Sequence, residues 1–268
     1  MNTISATAAA VTGARHLRLA RNGQDAVAIW IGEPAGAAVV CDGCSAGGSS
    51  EVGARLGAQL VIAAVAARLA RGERPSELWS GVRAQVAAAL VALVEAMPGD
   101  RAVAIREHFL FTIVAAAVAG GEASVWAVGD GGYAFLPERV PERDPGWPGD
   151  RSETALDIAR GALRVLGPFA DNRPPYLAYD LLGTPAAAHV ETWHARAGRI
   201  VLATDGAVEL GLDGLLEPRV LAHPDGLRRT LAVLARGGER IDWDARRIVR
   251  TPATLQDDGA IAVLGWAA

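Results

Sequence analysis

The chain has 268 residues, 51% of them hydrophobic, with a formal net charge of -4 and a pI near 5.8. That length allows one large domain or two small ones around a sizeable core. The acidic balance leaves no electrostatic footprint for nucleic acid, and every basic residue is Arg.

Residues 1–7 lack a basic start and a sustained apolar core, so no signal peptide is expected. The longest apolar runs, 56–67 and 109–121, are too short for a bilayer. The expectation is a cytoplasmic protein with no membrane partner.

Residues 1–14 read as a frayed end or short edge strand. Residues 17–20 read as a strand, closed by the turn Arg21-Asn22-Gly23. Residues 26–31 are β-branched and aromatic, hence a strand. Residues 32–36 form a hairpin connection. Residues 37–41 are continuously apolar, the partner strand buried on both faces. Asp25 starts the first strand and Asp42 ends the second. Antiparallel pairing therefore brings the two carboxylates together.

Ser49 or Ser50 caps a helix running to about Leu69, with Glu51 in its first turn. Ser76 caps a second helix, with Leu78, Val82, Val86, Leu90 and Leu93 near helical spacing, ending around 97–99. The two predict an antiparallel pair over one sheet face. Residues 109–118 and 123–128 make a second hairpin about Gly120-Gly121. Asp130 lies in the corner Gly129-Asp130-Gly131-Gly132, before a short strand at 133–136. Four prolines make 137–151 a loop, and 152–183 carries no clear pattern. Strands are expected at 188–194 and 199–203, the latter ending in Thr204-Asp205-Gly206 and a short helix. Helices are expected at 224–235 and 243–249. Gln256-Asp257-Asp258-Gly259 leads into a last strand at 260–264. Hairpin connections instead of βαβ crossovers argue for antiparallel sheets with helices outside. Residues 1–268 read as a single α+β domain.

Cys41 and Cys44 form a C-x-x-C. A zinc site needs two more soft ligands, and the five His are scattered. A redox pair belongs at a helix N-terminus, whereas the helix here starts several residues later. Two small structural thiols remain the better reading. Asp25, Asp42, Asp130, Asp205 and Asp258 are different. Any one is an ordinary turn residue. Together they place several carboxylates at strand ends, which suits hard cations such as Mg2+ or Mn2+. Two such ions activate water and clamp a phosphoryl group. Gly47-Gly48 lacks the Walker pattern and its Lys, so a nucleotide-binding P-loop is excluded.

The pieces Gln24-Asp25-Ala26, Val40-Cys41-Asp42-Gly43, Ser50 to Ala54, Thr112 with Val128-Gly129-Asp130, Leu202 to Gly206 and Asp257-Asp258 stand in one order along the chain. In that order they resemble the metal-dependent type-2C Ser/Thr protein phosphatases of bacteria. The resemblance implies a four-layer αββα sandwich, two antiparallel sheets flanked by helix pairs. It implies two Mn2+ or Mg2+ ions, bridged by Asp42, with the Gly43 carbonyl facing one of them. Asp205 and Asp258 would hold one ion. Asp25, beside Gln24, would fix the other through water, and Asp130 a third, weaker ion. Asp42 and Asp205 would carry catalysis around a metal-bridging hydroxide. The substrate would be phosphoserine or phosphothreonine on a protein, opposing a Ser/Thr kinase.

Departures from the family pattern are visible. Gln24 stands where Glu is usual. Cys44 stands where some members carry a His proposed as general acid, which leaves that proton to a metal-bound water. Ala20 occupies the register of the phosphate-binding Arg. Phe111, Gly131 and Gly259 also replace the usual residues. Gln24 and the absent Arg support an alternative, a phosphatase-like binding or regulatory module with weak or no turnover. Small-molecule phosphomonoesterase activity is a third reading. His16 is either a phosphate contact or a satisfied polar residue.

Overall fold

The computed structural model describes residues 3–137, 163–212 and 214–267. The strands are β1 (Thr3–Val11), β2 (Ala26–Ile31), β3 (Ala35–Cys41), β4 (Ile113–Ala119), β5 (Glu122–Val128), β6 (Gly131–Pro137), β7 (Arg164–Leu166), β8 (His189–His194), β9 (Ala197–Ala203), β10 (Gly238–Asp242), β11 (Arg247–Thr251) and β12 (Gly259–Ala267). The helices are α1 (Ala14–Arg18), α2 (Ser50–Ala70), α3 (Trp79–Ala96), α4 (Arg101–His108), α5 (Asp205–Glu209), α6 (Pro218–Leu221) and α7 (Gly226–Leu234). Two five-stranded sheets run in the orders β1-β12-β9-β6-β7 and β2-β3-β4-β5-β8. All their pairings are antiparallel.

Strand alternation explains the layers. In β3, Ala37, Val39 and Cys41 face the core under the α2–α3 pair, while Ala38 and Val40 face the space between the sheets. In β9, Ile200 and Leu202 face that same space, while Val201 and Ala203 face α5 and α7. Side chains alternate with period two, so a strand buried on both faces must be apolar throughout. The three cores separate four layers, the αββα sandwich. Alanines such as Ala38, Ala116, Ala123, Ala260 and Ala262 line the central core. The helix-side core uses larger groups, including Trp126 stacked on Trp79 at 5.9 Å. By length and composition α2 and α3 are apolar enough to cross a membrane. In the fold their apolar residues Val61, Val65, Val82, Val86 and Leu90 are spent on this core.

Several local expectations change. Residues 1–14 hold a full edge strand, β1, registered along all of Thr3–Val11 against β12. Residues 17–20, expected as a strand, belong to and follow the short helix α1. Leu17 and Leu19 are exposed there, while His16 turns inward. Residues 243–249, expected as a helix, sit in a β-ribbon. Ile241 pairs with Ile248, and the turn is closed by Arg246 at φ 48°. A helix at that position would have had no apolar face to bury, because Ile241, Trp243 and Ile248 are all exposed. α4 has no counterpart among the predicted elements. Its Asp100 side chain accepts from the Val103 N–H at 2.9 Å, a cap worth about 1 kcal/mol. β4 starts at Ile113, four residues after Phe109. Phe109 and Phe111 go instead under the helices, with α2 approaching closely at Gly53 and Gly57. Residues 138–151 of the expected loop lie outside the described residues.

Candidate metal centre

All the singled-out Asp residues lie at one end of the sandwich. β2 pairs with β3 so that Ala26 faces Cys41, which sets Asp25 beside Asp42 at the end of one sheet. β9 pairs with β12 so that Ala203 faces Ile261, which sets Asp205 near Asp257 and Asp258 at the end of the other. Asp130 sits on the crossing from β5 to β6, between glycines at φ 99° and 116° that only Gly adopts readily. Two hydrogen bonds tie the sheets across this end. Thr204 Oγ1 donates to Asp25 Oδ2 at 2.6 Å, and the Gln24 N–H donates to Asp258 Oδ2 at 2.6 Å.

Depth varies among the carboxylates. Asp25 and Asp258 are buried, Asp42, Asp130 and Asp257 half-buried, and Asp205 exposed. Asp42 lies beside Asp25 and close enough to Asp205 for the three carboxylates to act on one another's charge. Two carboxylates can touch only with a proton or a cation between them. Burial pushes Asp25 up to about 7, against the opposing bond from Thr204. Burial, then the charges of Asp25 and Asp205, push Asp42 well above the ordinary carboxylate range. Burial and Asp205 raise Asp130 to about 6; Asp205, exposed as a residue, is raised by partial desolvation of its carboxyl and by the charges of Asp257 and Asp258. These groups therefore lack a compensating positive charge.

Asp258 is the exception. Its Oδ1 accepts from the Gly13 N–H at 2.8 Å. Its Oδ2 accepts from Gln24 N–H and lies 2.8 Å from His16 Nδ1. His16 is thus a satisfied buried residue, 5% exposed. Asp257 stands next to this corner, and its charge contributes to raising Asp205. One ligand atom each of His16, Asp257 and Asp258 lie within 4.8 Å of one another. The backbone packs against the corner from two sides. A Cβ on Gly13 would lie 2.0 Å from the Asp257 carbonyl oxygen, and one on Gly206 2.0 Å from that of Asp258.

The loop after Asp42 is held from within. Gly43 bridges to Phe111, and the Thr112 N–H donates to the Asp42 carbonyl at 2.8 Å. Gln24 Nε2 donates to Ser50 Oγ at 2.6 Å, and Ser50 Oγ donates to the Cys44 carbonyl at 2.8 Å. Cys41 and Cys44 are both free thiols, and Cys41 is buried. Tyr176 reaches the site from residues that carried no sequence pattern. It packs in the core cluster against which Cys44 lies, and feels the charges of Asp130 and Asp42. Sequence reasoning also passed over Thr204 and Asp257, although both stand inside motifs that it used.

The donor set fits hard divalent cations. It offers carboxylate oxygens at several depths, converging and without balancing charge, and hard oxygen donors are what Mg2+ and Mn2+ select. Asp25 and Asp42 come together as the hairpin pattern predicted, and Asp205 and Asp130 lie within their electrostatic reach. Asp258 joins the same end as a carboxylate already satisfied by protein donors.

The family model described as Protein phosphatase 2C matches residues 12–237. None of the curated protein sequences compared with the chain matches it. Among solved structures, the fold is similar to the catalytic domain of the serine threonine protein phosphatase PstP in complex with two manganese ions. That match has 17% identity and a TM-score of 0.53, and it covers 100% of both chains. The Mycobacterium tuberculosis serine/threonine phosphatase PstP/Ppp matches at 18% identity and TM-score 0.53, covering 99% of each chain. A bacterial serine phosphatase matches at 12% identity and TM-score 0.52, covering 98% of each. With its family model spanning most of its length, the chain belongs to the protein phosphatase 2C family.

Proposed function

We propose that Asp42, Asp25, Asp205 and Asp257 hold the divalent cations for the phosphoserine and phosphothreonine hydrolysis that family membership assigns to this chain. The observation that carries the residue assignment is the placement of Asp42 beside Asp25 at the end of one sheet, within electrostatic reach of Asp205 at the end of the other. A carboxylate so placed is the natural bridge. Divalent ions bound there supply an activated water and neutralise phosphoryl charge.

The chain's own residues prepare that chemistry. Thr204 fixes Asp25 by donating its hydroxyl to one of the two carboxylate oxygens. The Gly43 carbonyl is carried beside Asp42 by the bridge to Phe111. Asp130, half-buried, suits a weaker outer ion. Asp258 takes a positioning role in place of the ligand role that the resemblance implied. Both its oxygens are occupied, and it locks His16, Gly13 and Gln24 into the wall behind the site. Asp257 takes the ligand place.

Residues 1–268 act in this reading as one domain, with a cytoplasmic phosphoprotein substrate placed there by a Ser/Thr kinase. The acidic net charge and the core packing of α2 and α3 support a substrate that is neither nucleic acid nor membrane. A second reading, a binding module of low turnover, is favoured by one observation. The Gln24 amide is spent on Ser50 and adds no charge to the site.

Hydrolysis of an aryl phosphate and a phosphothreonine peptide with Mn2+ tests the assignment. The wild type turns over both and Asp42→Ala neither. Absence of metal-dependent turnover in the wild type contradicts the enzyme reading, and full activity in Asp42→Ala contradicts the site. Calorimetric Mn2+ binding without turnover supports the binding module.

A further inference from the structure

β1 and β2 are the outermost strands of their two sheets, and they lie against each other on the same side of the sandwich. An edge strand turns alternate N–H and C=O groups away from its single neighbour, which makes it a template for another strand. A groove of about 610 Å³ runs along this side. Its floor is residues 8–12 at the end of β1, with Ala26 and Val27 of β2. Its rims are Arg55 on α2, and Asp225 and Arg228 at the start of α7. Asp25 also lines it, so the groove reaches the edge of the carboxylate cluster.

The rims are not electrically equal. Asp225 is matched by Arg228 at 2.6 Å and by Arg229 at 3.0 Å. Among the described lining residues, that leaves the exposed Arg55 guanidinium as the rim cation without a carboxylate partner. Residues 8–12 span roughly 14 Å at about 3.4 Å per residue. That matches four to five residues of extended chain.

We propose that this groove takes the segment of the phosphoprotein substrate flanking the phosphorylated residue. The segment lies extended, pairs its main chain with an exposed edge strand, and sets an acidic side chain against Arg55. The proposal rests on the phosphatase reading above and adds substrate selection to it: phosphosites in extended, acidic stretches. Main-chain pairing gives affinity without regard to sequence, and Arg55 gives the preference.

The test compares wild type and Arg55→Glu with Mn2+ on four substrates. These are an aryl phosphate, a phosphothreonine peptide with Glu flanks, the same peptide with Arg flanks, and the Glu peptide N-methylated at alternate amides. The aryl phosphate is too small to enter the groove and serves as the reference. Wild type prefers the Glu over the Arg peptide by about tenfold in kcat/KM, mainly through KM. Arg55→Glu reverses that preference, and N-methylation lowers the wild-type value about tenfold. An unchanged preference in Arg55→Glu, or loss in equal proportion on the aryl phosphate and both peptides, overturns the proposal. A wild type that hydrolyses nothing defeats the phosphatase reading instead. Fluorescence-polarisation binding of the same peptides then decides the groove, and equal affinities for wild type and Arg55→Glu overturn it.

Discussion

The corner around Asp258 and the corner around Asp42 are built from the same parts and behave oppositely. Each is a carboxylate at a strand end beside a glycine. Asp258 receives two backbone N–H groups and the His16 ring, so its charge is balanced inside the protein. Asp42 meets other carboxylates, and burial with their charges drives it towards the protonated form. Buried charge is tolerated where protein donors meet it and must otherwise find a cation or a proton. The first corner is therefore balanced by protein donors, and the second is where we place the metal. In the proposed assignment a single-residue step, from Asp257 to Asp258, divides the roles on one strand end.

The contrast can be broken most severely at Asp42. Asp42→Ala lowers Mn2+-dependent kcat on an aryl phosphate by more than about 100-fold, beyond the loss typical of an outer-shell partner. The neighbouring pair sharpens it. Asp257→Asn weakens Mn2+ binding in calorimetry by at least about tenfold and barely moves Tm. Asp258→Asn presents an amide to N–H donors and costs about 3 kcal/mol of stability, seen in denaturant melts. Equal effects of the two substitutions on stability and on metal affinity contradict the division of roles.

Thr204→Val has a smaller effect of mixed kind. It removes the bond to Asp25 and leaves the Ala260 N–H, which donates to Thr204 Oγ1 at 2.8 Å, unsatisfied. Stability falls by about 1–3 kcal/mol. Mn2+ affinity falls about tenfold, as for other groups that orient a ligand.

The smallest effect is on pH dependence without metal. Asp25 titrates near 7 in the folded chain against an ordinary 3.8, and Asp130 near 6. Between those values the folded state holds more protons than the unfolded one. The stability these two groups contribute is therefore fully present below about pH 4 and is lost as pH rises through about 7. With metal removed by chelator, Tm falls by several degrees from pH 5 to 8. Added Mn2+ reverses the trend, because the cation takes the place of the protons. A chelated protein whose Tm rises over that range contradicts the uncompensated cluster.

Strand periodicity carried most of the fold. Runs such as 37–41 and 199–203 were legible because both faces of these strands are buried, which demands continuous apolar sequence. Their Asp ends were legible for the same reason, since a carboxylate closing such a run is conspicuous. The ribbon at 238–251 was misread because its apolar residues face solvent, and exposure removes the constraint that makes periodicity informative. α1 was misread because its one buried residue is His16, held by Asp258 some 242 positions away. Asp257 and Asp258 could not be told apart in sequence, because the donors that separate them come from residues 13, 16 and 24. Tyr176 carried no local signal, and only tertiary packing brings it to Cys44 and the carboxylates.

The central claim is that Asp42 bridges cations where its neighbours would otherwise share protons. Calorimetric titration of the chelated protein with Mn2+ near pH 6, in two buffers of different ionisation enthalpy, tests it directly. Wild type is predicted to bind Mn2+ with release of protons, and Asp42→Asn to lose both the binding and the release. Binding without proton release in the wild type, or undiminished binding by Asp42→Asn, would contradict it.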